Sequence, residues 1–257
     1  MIAPLSPRLP DRVTCRVIGL GGIGQIVATH LGRFLCGLRR SATLILIDGD
    51  HFEQGNEARM GVTEYYANKA QALQAELSAA AGASEVTVAA VAEYVTPGNV
   101  ARLVRSGPGE NVLLCVDNHA TRNLVAGHAC GLRDIVLVSG GNDGVGPDGG
   151  GTVRHGTAGN VQVYVRRAGA DQTPTLTAFH PEIADPPDHR PDEAGCGELM
   201  TSAPQILFAN LCAASCMLST WWLHACGGLE YSELVFDISK GRTAPLLAFS
   251  PNGPAPP

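Results

Sequence analysis

The chain has 257 residues, of which 45% are hydrophobic, and its formal net charge at pH 7 is −6. That length suits one sizeable α/β core, and the acidic balance argues against a surface for nucleic acid, which needs clustered Lys and Arg. The apolar segment Leu199 to Cys226 contains a proline and several polar residues. We therefore expect a buried helix there, and no association with a membrane.

Eight cysteines lie mainly within apolar patterns, and none forms a C-x-x-C pair. Such cysteines are typical of buried, reduced thiols, which predicts a cytoplasmic protein. No structural zinc site is expected. The opening residues lack the pattern of a secretory signal.

The first half of the chain alternates predicted strands with predicted helices. A strand from Thr14 to Gly19, a helix from about 22 to 38 and a strand from 43 to 47 make a βαβ unit. Later strands are expected near 85–91, 111–116 and 135–138, and later helices near 66–81, 98–105 and 120–132. This alternation predicts an α/β fold with a Rossmann-like, doubly wound and mainly parallel sheet.

The second half predicts an extension of the same sheet by antiparallel strands. Residues 140–151 are too rich in glycine for a regular element, whereas the next segment alternates valines with polar residues, as a half-exposed strand does: Val161, Val163 and Val165. Segments 234–238 and 245–249 predict a terminal hairpin. The whole chain, 1–257, is therefore expected to form a single domain.

Two segments between these strands have their own signals. Residues 181–194 combine prolines with acids and predict a surface loop. In the long helix that follows, large apolar residues at helical spacing predict the side that packs on the sheet: Leu207, Leu211, Leu218 and Trp222.

The first strand and first helix are joined by Gly19-Leu-Gly-Gly-Ile-Gly24. Glycines let the backbone turn tightly and approach a phosphate, while the helix N-terminus offers free N–H groups to an anion. Gly19, Gly21, Gly22 and Gly24 are therefore predicted to bind a nucleotide. The same pattern also fits the dinucleotide fingerprint.

The residues after the second strand distinguish among nucleotides. Asp48 ends that strand, where a carboxylate accepts ribose hydroxyls, and a polar series follows: Asp50, Asn56, Arg59 and Lys69. Lys69 is one of only two lysines in the chain. Fixed cations stabilise a leaving pyrophosphate, whereas a dehydrogenase has no general use for them. The alternative for Arg59 and Lys69 is a solvated helix face.

Asp117 ends another predicted strand, at the edge where ligands lie in parallel sheets, and is a candidate Mg²⁺ ligand. Its alternative role is an N-cap for the next helix. Asn118 and Arg122 follow at positions that also suit a helix start and an ion pair.

Together these motifs resemble the signature of the ThiF/MoeB and ubiquitin-activating enzyme superfamily. The resemblance covers about residues 13–250: Gly19-x-Gly-Gly-x-Gly24, Asp48-x-Asp50, Asn56-x-x-Arg59, Lys69 and Asp117-Asn118-x-x-x-Arg122. The segment from Thr175 to Glu182, with Cys196 and the helix after it, is similar to bacterial ThiF-type proteins of the PRTRC group, relatives of which occur beside ubiquitin-like operons. Met60, where a glutamine is common, the short interval from Arg59 to Lys69 and the absence of paired zinc cysteines depart from the family pattern.

The resemblance implies ATP- and Mg²⁺-dependent adenylation of the C-terminal glycine of a ubiquitin-like or sulfur-carrier protein, usually by a homodimer. It assigns ribose binding to Asp48, phosphate binding to Asn56, Arg59 and Lys69, with Asp50 and Asn118 also at the ATP, and the metal to Asp117. An N-terminal arginine, Arg8 or Arg12, is a candidate to reach a partner's site. Residues 13–139 become the nucleotide-binding half and 140–250 the partner-binding half, with a crossover loop near 181–196.

Cys196 follows an acidic loop at the expected start of a helix, where a thiol can become nucleophilic, although the nearby acids oppose this. It either carries the activated protein as a thioester for a conjugating enzyme or has no covalent role. Without a thioester, the enzyme would serve sulfur transfer or tRNA modification. From other classes, an NAD-dependent oxidoreductase explains the glycines and Asp48 alone, and a non-catalytic scaffold explains none of the polar series.

Overall fold

The computed structural model describes residues 5–53, 67–147, 153–193 and 205–248, and all elements below lie in those ranges. The first half contains five strands and four helices in alternation. They are β1 (Val13–Ile18), α1 (Gly22–Gly37), β2 (Ala42–Ile47), α2 (Lys69–Ala81), β3 (Val86–Val91), α3 (Val100–Leu103), β4 (Glu110–Leu114), α4 (His119–Cys130) and β5 (Ile135–Asn142).

The second half adds six strands and two helices. They are β6 (Val145–Pro147), β7 (Val153–His155), β8 (Ala158–Arg167), β9 (Ala170–Asp171), α5 (Pro181–Ala184), α6 (Leu207–Cys226), β10 (Tyr231–Asp237) and β11 (Arg242–Ala248). A 3₁₀ turn, Ile238–Lys240, joins the last two strands. None of these helices is long and apolar enough to cross a membrane.

Within the described residues, β1 to β5 are parallel and occupy one side of a sheet ordered β11-β10-β8-β5-β4-β1-β2-β3. Strands β8, β10 and β11 continue it in antiparallel fashion. The strand order reverses at β1, where ligands bind in folds of this class. The predicted doubly wound sheet with an antiparallel extension is confirmed, as is the terminal hairpin.

Helices cover both faces of the sheet. Helices α1, α2 and α6 pack on one face, around Val17, Leu46 and Val138 among others. Helices α3, α4 and α5 pack on the other face, around Leu114 and Leu137. Because neighbouring strand residues point to opposite faces, both faces need apolar side chains, which explains runs such as the one in β2.

Three sequence-based expectations were wrong. Strand β5 continues through Gly140, Gly141 and Asn142 into the glycine-rich segment, because β8 pairs with it there. Strand β8 is not half exposed: its valines at 161, 163 and 165 are all buried, since α6 packs on that face. The predicted surface loop is mostly exposed, as expected, and it contains the short helix α5.

The third correction concerns α6. Leu207 and Leu211, predicted to face the sheet, are 38% and 42% exposed. The first half of the buried side is instead made of smaller residues, Ala209, Asn210, Ala213 and Ala214, and the larger Met217 and Trp221 follow. Small side chains let the helix axis approach β5 and β8 closely. Because the helix is apolar on every side, its sequence has little periodic signal from which to predict the buried side.

Candidate active site

The glycine turn lies at the carboxyl ends of the parallel strands. Gly19 has a φ of +83°, and a side chain there would meet the backbone N of Val116 at 2.9 Å. A Cβ on Gly24 would lie 1.8 Å from the carbonyl oxygen of Gly19, so the turn closes only without side chains at these two positions. Gly21 differs, because a Cβ there would meet nothing within 4 Å. The turn therefore leaves open space above the N-terminus of α1, as a bound phosphate requires.

Asp48, directly after β2, accepts two backbone hydrogen bonds. The N–H of Leu20 donates to Oδ2 over 2.6 Å, and the N–H of Asp50 donates to Oδ1 over 2.9 Å. Burial raises the pKa of Asp48, while the charge of Lys69 and the two N–H groups act in the opposite direction. The carboxylate thus links the end of β2 to the glycine turn, at the position of a ribose-binding acid in nucleotide folds.

Lys69 and Asp50 form an ion pair beside Asp48. Lys69 is the first residue of α2 and only 8% exposed, so its ammonium group is removed from water and needs such a partner. Its backbone N–H also donates to the carbonyl oxygen of Asp50 at 3.0 Å. The structure therefore brings together three of the predicted site residues, and the solvated helix face considered for Lys69 is excluded.

Two further residues of this region were missed in the sequence. Asn68 caps α2, accepting from Ala70 and Gln71, and its amide donates to the carbonyl oxygens of Asp48 and Asp50 at 2.9 and 3.0 Å. An asparagine directly before a helix is a recognisable N-cap signal. The second residue is Tyr94, which packs directly against Gly49, between Asp48 and Asp50. The approach is so close that a Cβ on Gly49 would lie 2.6 Å from the backbone N of Tyr94. Burial is the main cause that raises the pKa of Tyr94 to about 12, and the negative charges of Asp50 and Asp48 add to it. The hydroxyl therefore keeps its proton and remains a hydrogen-bond donor.

Asp117 is exposed after β4, and the N-cap of α4 is Asn118 rather than Asp117. The Asn118 amide oxygen accepts from Thr121 N–H at 2.8 Å. The helix-start interpretation of Asn118 is therefore confirmed, and the cap alternative for Asp117 is wrong. An exposed carboxylate at this edge fits Mg²⁺, which takes one or two protein carboxylates and fills its remaining positions with water and phosphate oxygens.

Arg122, in α4, is 8% exposed and is not the ion-pair residue that we expected. Its guanidinium donates to Ser139 Oγ at 2.5 Å and to the carbonyl oxygens of Val116 and Gly140 at 2.6 and 2.9 Å. Burial lowers the pKa of Arg122, and the nearest acidic charges oppose that effect only in part. The buried cation fixes the ends of β4 and β5 relative to α4.

The segment after β9 covers this part of the edge. The carboxylate of Asp188 accepts from the backbone N–H groups of His119 and Ala120, each at 2.8 Å, and so completes the N-terminal cap of α4. Because these partners are 68 and 69 residues apart in sequence, no local pattern predicts the contact. The segment around Asp188 is thus anchored beside Asp117.

His180 anchors the same segment to the sheet. Its Nε2 lies 3.0 Å from both carboxylate oxygens of Glu233 in β10, and Nδ1 lies 2.7 Å from Oε1 of Glu182. Glu233 is 2% exposed and also accepts from Asn160 at 2.9 Å. Hydrogen bonding to Glu233 raises the pKa of His180 to about 9, so the imidazole is protonated at neutral pH.

Asn56, Arg59 and Cys196 lie outside the described residues. The seven other cysteines are free thiols. Burial raises the pKa of Cys15, Cys115 and Cys216 to about 12, so these three are protonated and packed in the core. Among the described residues there is no group of three or more His, Cys, Asp or Glu side chains that could hold a metal ion by themselves.

The ThiF family model matches residues 11–232. No curated protein sequence matched the chain.

Solved structures share the fold. PaaA is 18% identical with a TM-score of 0.61, over 93% of this chain and 65% of PaaA. E. coli MccB with AMPCPP and MccA is 15% identical with a TM-score of 0.65, over 94% of this chain and 66% of MccB. The microcin C7 biosynthetic enzyme MccB with N-formylated MccA is 14% identical, with a TM-score of 0.63, over 94% of this chain and 67% of that enzyme. The chain thus spans about two thirds of the length of these proteins.

Proposed function

The chain belongs to the ThiF family, and we propose that it is an ATP-dependent adenylyltransferase for the C-terminal glycine of a ubiquitin-like carrier protein. The proposal is based on that membership and on the geometry of the carboxyl edge, which is the edge of the sheet where the parallel strands end. The observation that carries the proposal is the contact of Asp48 with the glycine turn beside the buried pair of Lys69 and Asp50. A phosphate site, a ribose acid and a cation thereby adjoin one another at the point where the strand order reverses.

In the proposed reaction a carboxylate oxygen of the carrier attacks the α-phosphorus of ATP. The bond from that phosphorus to the bridging oxygen of the β-phosphate breaks, and pyrophosphate leaves with the electron pair. The open N-terminus of α1 holds the phosphates, and Lys69, together with Asn56 and Arg59, stabilises the charge that moves onto pyrophosphate. Lys69 is held in place by Asp50 until the more highly charged phosphates compete for it.

Asp117 is the residue assigned to Mg²⁺, whose contribution when bound is to neutralise phosphate charge. Arg122 acts without touching ATP: it holds the carbonyl of Val116, the residue directly before Asp117, and so positions the carboxylate. Asn118 keeps α4 capped on the other side of Asp117. The order Val116, Asp117, Asn118 therefore places an exposed carboxylate between two fixed neighbours.

Later steps extend the proposal. The thiolate of Cys196 would attack the acyl carbon of the adenylate, so that AMP leaves and a thioester forms for transfer to a conjugating enzyme. The alternative is an adenylyltransferase for sulfur transfer or tRNA modification without that thioester. Intact mass of the enzyme after reaction separates them, because the thioester adds the carrier's mass to the wild type but not to Cys196→Ala.

A homodimer is also part of the proposal, with Arg8 or Arg12 reaching the site of the second copy. The backbone N–H of Arg8 donates to the carbonyl oxygen of Ala225 at 2.7 Å, at the C-terminal end of α6. Arg8 is therefore held at the edge of its own sheet opposite the glycine turn. Arg12 is exposed just before β1, at the same edge.

ATP–pyrophosphate exchange tests the adenylation step. Exchange should be stimulated by ubiquitin-like or sulfur-carrier proteins ending in glycine, and Lys69→Ala should reduce it by about 10²-fold or more, as loss of a transition-state cation does. Lys240→Ala is the matched control, since the other lysine is 74% exposed and pairs with Asp237. Exchange that is equal in the two variants, or that no such carrier stimulates, contradicts the proposal.

A further inference from the structure

Two asparagines at the carboxyl edge have carboxamide groups that no part of the described chain hydrogen-bonds. Asn210, in α6, is fully buried, and neither its Oδ1 nor its Nδ2 has a partner. Asn142, the last residue of β5, is partly exposed, but both its polar atoms are shielded from solvent and also lack a partner. Buried polar groups are rarely left in this state, because each unpaired atom costs stability, so two complete carboxamides together are unusual.

Both side chains are directed into the space between β5 and α6. A Cβ on Gly140 would lie 2.4 Å from Sδ of Met217, which shows that this face of β5 packs on α6. Asn142 is two residues further along the strand and so points to the same face. Asn210 lies seven residues, or about two turns, before Met217 on the buried side of the helix.

The direction of each element places both asparagines at the carboxyl edge of the sheet, where the parallel strands end. Strand β5 ends there, about 7 Å beyond Gly140. Helix α6 runs the opposite way, because its C-terminal end contacts Arg8 at the other edge. Asn210 is therefore displaced from Met217 toward the carboxyl edge by about 10 Å.

The glycine turn follows β1, two strands away from β5, which corresponds to about 10 Å. The two carboxamides thus lie on the same side of the sheet as α1, beside the phosphate site but out of reach of its phosphates. An extended chain advances about 3.3 Å per residue. A tail whose terminal carboxylate is at the glycine turn would pass the asparagines roughly three to five residues earlier.

A carboxamide has one acceptor oxygen and a donor NH₂ group in the same arrangement as a peptide bond. Its natural complement is the C=O and N–H of another main chain, rather than a charged phosphate. Strand β5 also continues three residues, to Asn142, past the last residue paired with β4, Ser139. The carbonyl oxygen of Gly140 in this extension already accepts from Arg122 at 2.9 Å, whereas the carboxamide of Asn142 has no partner among the described residues.

Resting on the proposed function, we propose that Asn142 and Asn210 bind the main chain of the carrier's extended tail, about three to five residues before the terminal glycine. The contact is independent of the side chains of the tail. It holds the tail in register, so that the terminal carboxylate arrives at the α-phosphate and tails of different sequence are accepted if they are extended.

Two substitutions on α6 test the proposal without ATP chemistry. Asn210→Leu keeps the branched shape and the number of heavy atoms of the side chain and removes an unpaired polar group, so the melting temperature should rise by roughly 2–4 °C. Thr220→Val is the matched control on the same helix: Thr220 is also fully buried, but its hydroxyl is paired with Tyr231 at 2.9 Å. Its melting temperature should fall. Asn142→Val supplies a second variant, at a strand position that suits a β-branched residue.

Tail binding is then measured by titration with an acetylated octapeptide of six alanines and a final Gly-Gly, in the absence of ATP. Asn210→Leu should weaken binding at least 10-fold, whereas Thr220→Val should leave it unchanged. Peptides with one amide replaced by an ester should bind the wild type at least 5-fold less tightly when the replacement lies three to five residues from the end. The same replacement should cost nothing more in Asn210→Leu, because the partner is already absent.

Two outcomes overturn the proposal: no binding of the octapeptide to the wild type, or a lower melting temperature in Asn210→Leu with tail affinity unchanged. The second would assign Asn210 a structural role like that of Thr220. These results are distinct from failure of the proposed function, which would appear as peptide binding with the expected ester pattern but no ATP–pyrophosphate exchange.

Discussion

Two arginines are almost fully buried, Arg16 in the sheet and Arg122 in a helix packed on it, and their charges are compensated differently. Arg16 in β1 is 5% exposed and lies 2.8 Å from the carboxylate of Glu110, at the amino edge. Arg122, at the carboxyl edge, donates only to a hydroxyl and two carbonyl oxygens, with no carboxylate within ion-pair distance in the described residues. The amino edge neutralises its own charge, whereas the carboxyl edge keeps a positive charge beneath the site proposed for an anionic ligand.

The same contrast holds for neutral polar groups. At the amino edge Asn111 accepts from the indole N–H of Trp221 at 3.1 Å and donates to the carbonyl oxygen of Gly109 at 2.9 Å. At the carboxyl edge Asn142 and Asn210 have no partners among the described residues. The carboxamide at the amino edge is therefore satisfied within the chain, whereas the two at the carboxyl edge retain groups that a ligand would satisfy.

The largest expected effect is at the amino edge. Arg16→Met leaves the carboxylate of Glu110, which is 17% exposed, without its counter-charge, and should lower the free energy of unfolding by about 3–5 kcal/mol in urea titrations. Adding Glu110→Gln in the same chain should recover most of that loss. Arg122→Met has no acidic partner to neutralise and should cost about 1–3 kcal/mol, from the three acceptors that lose their donor. A double variant no more stable than Arg16→Met would mean that the two edges do not differ in this way.

The second prediction concerns His180, which anchors the segment before Asp188 to the sheet. The folded-state pKa of His180, about 9, lies above the unfolded value of about 6.5. Its contribution to stability is therefore complete below about pH 6.5 and is lost as the pH rises through about 9. Between pH 6.5 and 9.5 the wild type should lose about 2 kcal/mol more than His180→Gln does, measured by urea unfolding of both proteins.

An equal loss in the two proteins would show that other groups cause the pH dependence. Gln is a suitable replacement because it can still donate to Glu233 but does not titrate. Because Asp188, in the same segment, caps α4 beside Asp117, the wild type should also lose carrier-stimulated exchange over this pH range more steeply than His180→Gln.

The edges also differ in how well the sequence predicts them. The glycine turn, Asp48 and Lys69 were predictable because each follows a strand or begins a helix, and local patterns report such positions. Asn68 was missed although its N-cap position is a local signal. Asp188 was not predictable, since its partners in α4 are distant in the chain and only the folded structure brings them together.

The second half was predicted less well for two physical reasons. Helix α6 has apolar residues on every side, so the spacing of its large leucines predicted the wrong buried side. In the structure the alanines face β5, because their small side chains allow close packing. Glycines normally weaken strands, yet Gly140 and Gly141 remain in β5 because Met217 and Arg122 occupy the places of their side chains. Both reasons depend on long-range packing, which a single sequence does not report.

The smallest expected effect compares the two ends of α1, which runs from the carboxyl edge to the amino edge. A Cβ on Gly21, before the helix, and one on Gly37, at its end, would each meet nothing within 4 Å, so Gly21→Ala and Gly37→Ala should both fold with melting temperatures within a few degrees of the wild type. Only the methyl of Gly21→Ala would occupy the space proposed for a phosphate. It should weaken ATP binding by about tenfold, or about 1.4 kcal/mol, in equilibrium titrations, with Gly37→Ala unchanged. If both variants bind ATP like the wild type, the open space above α1 is not the phosphate site.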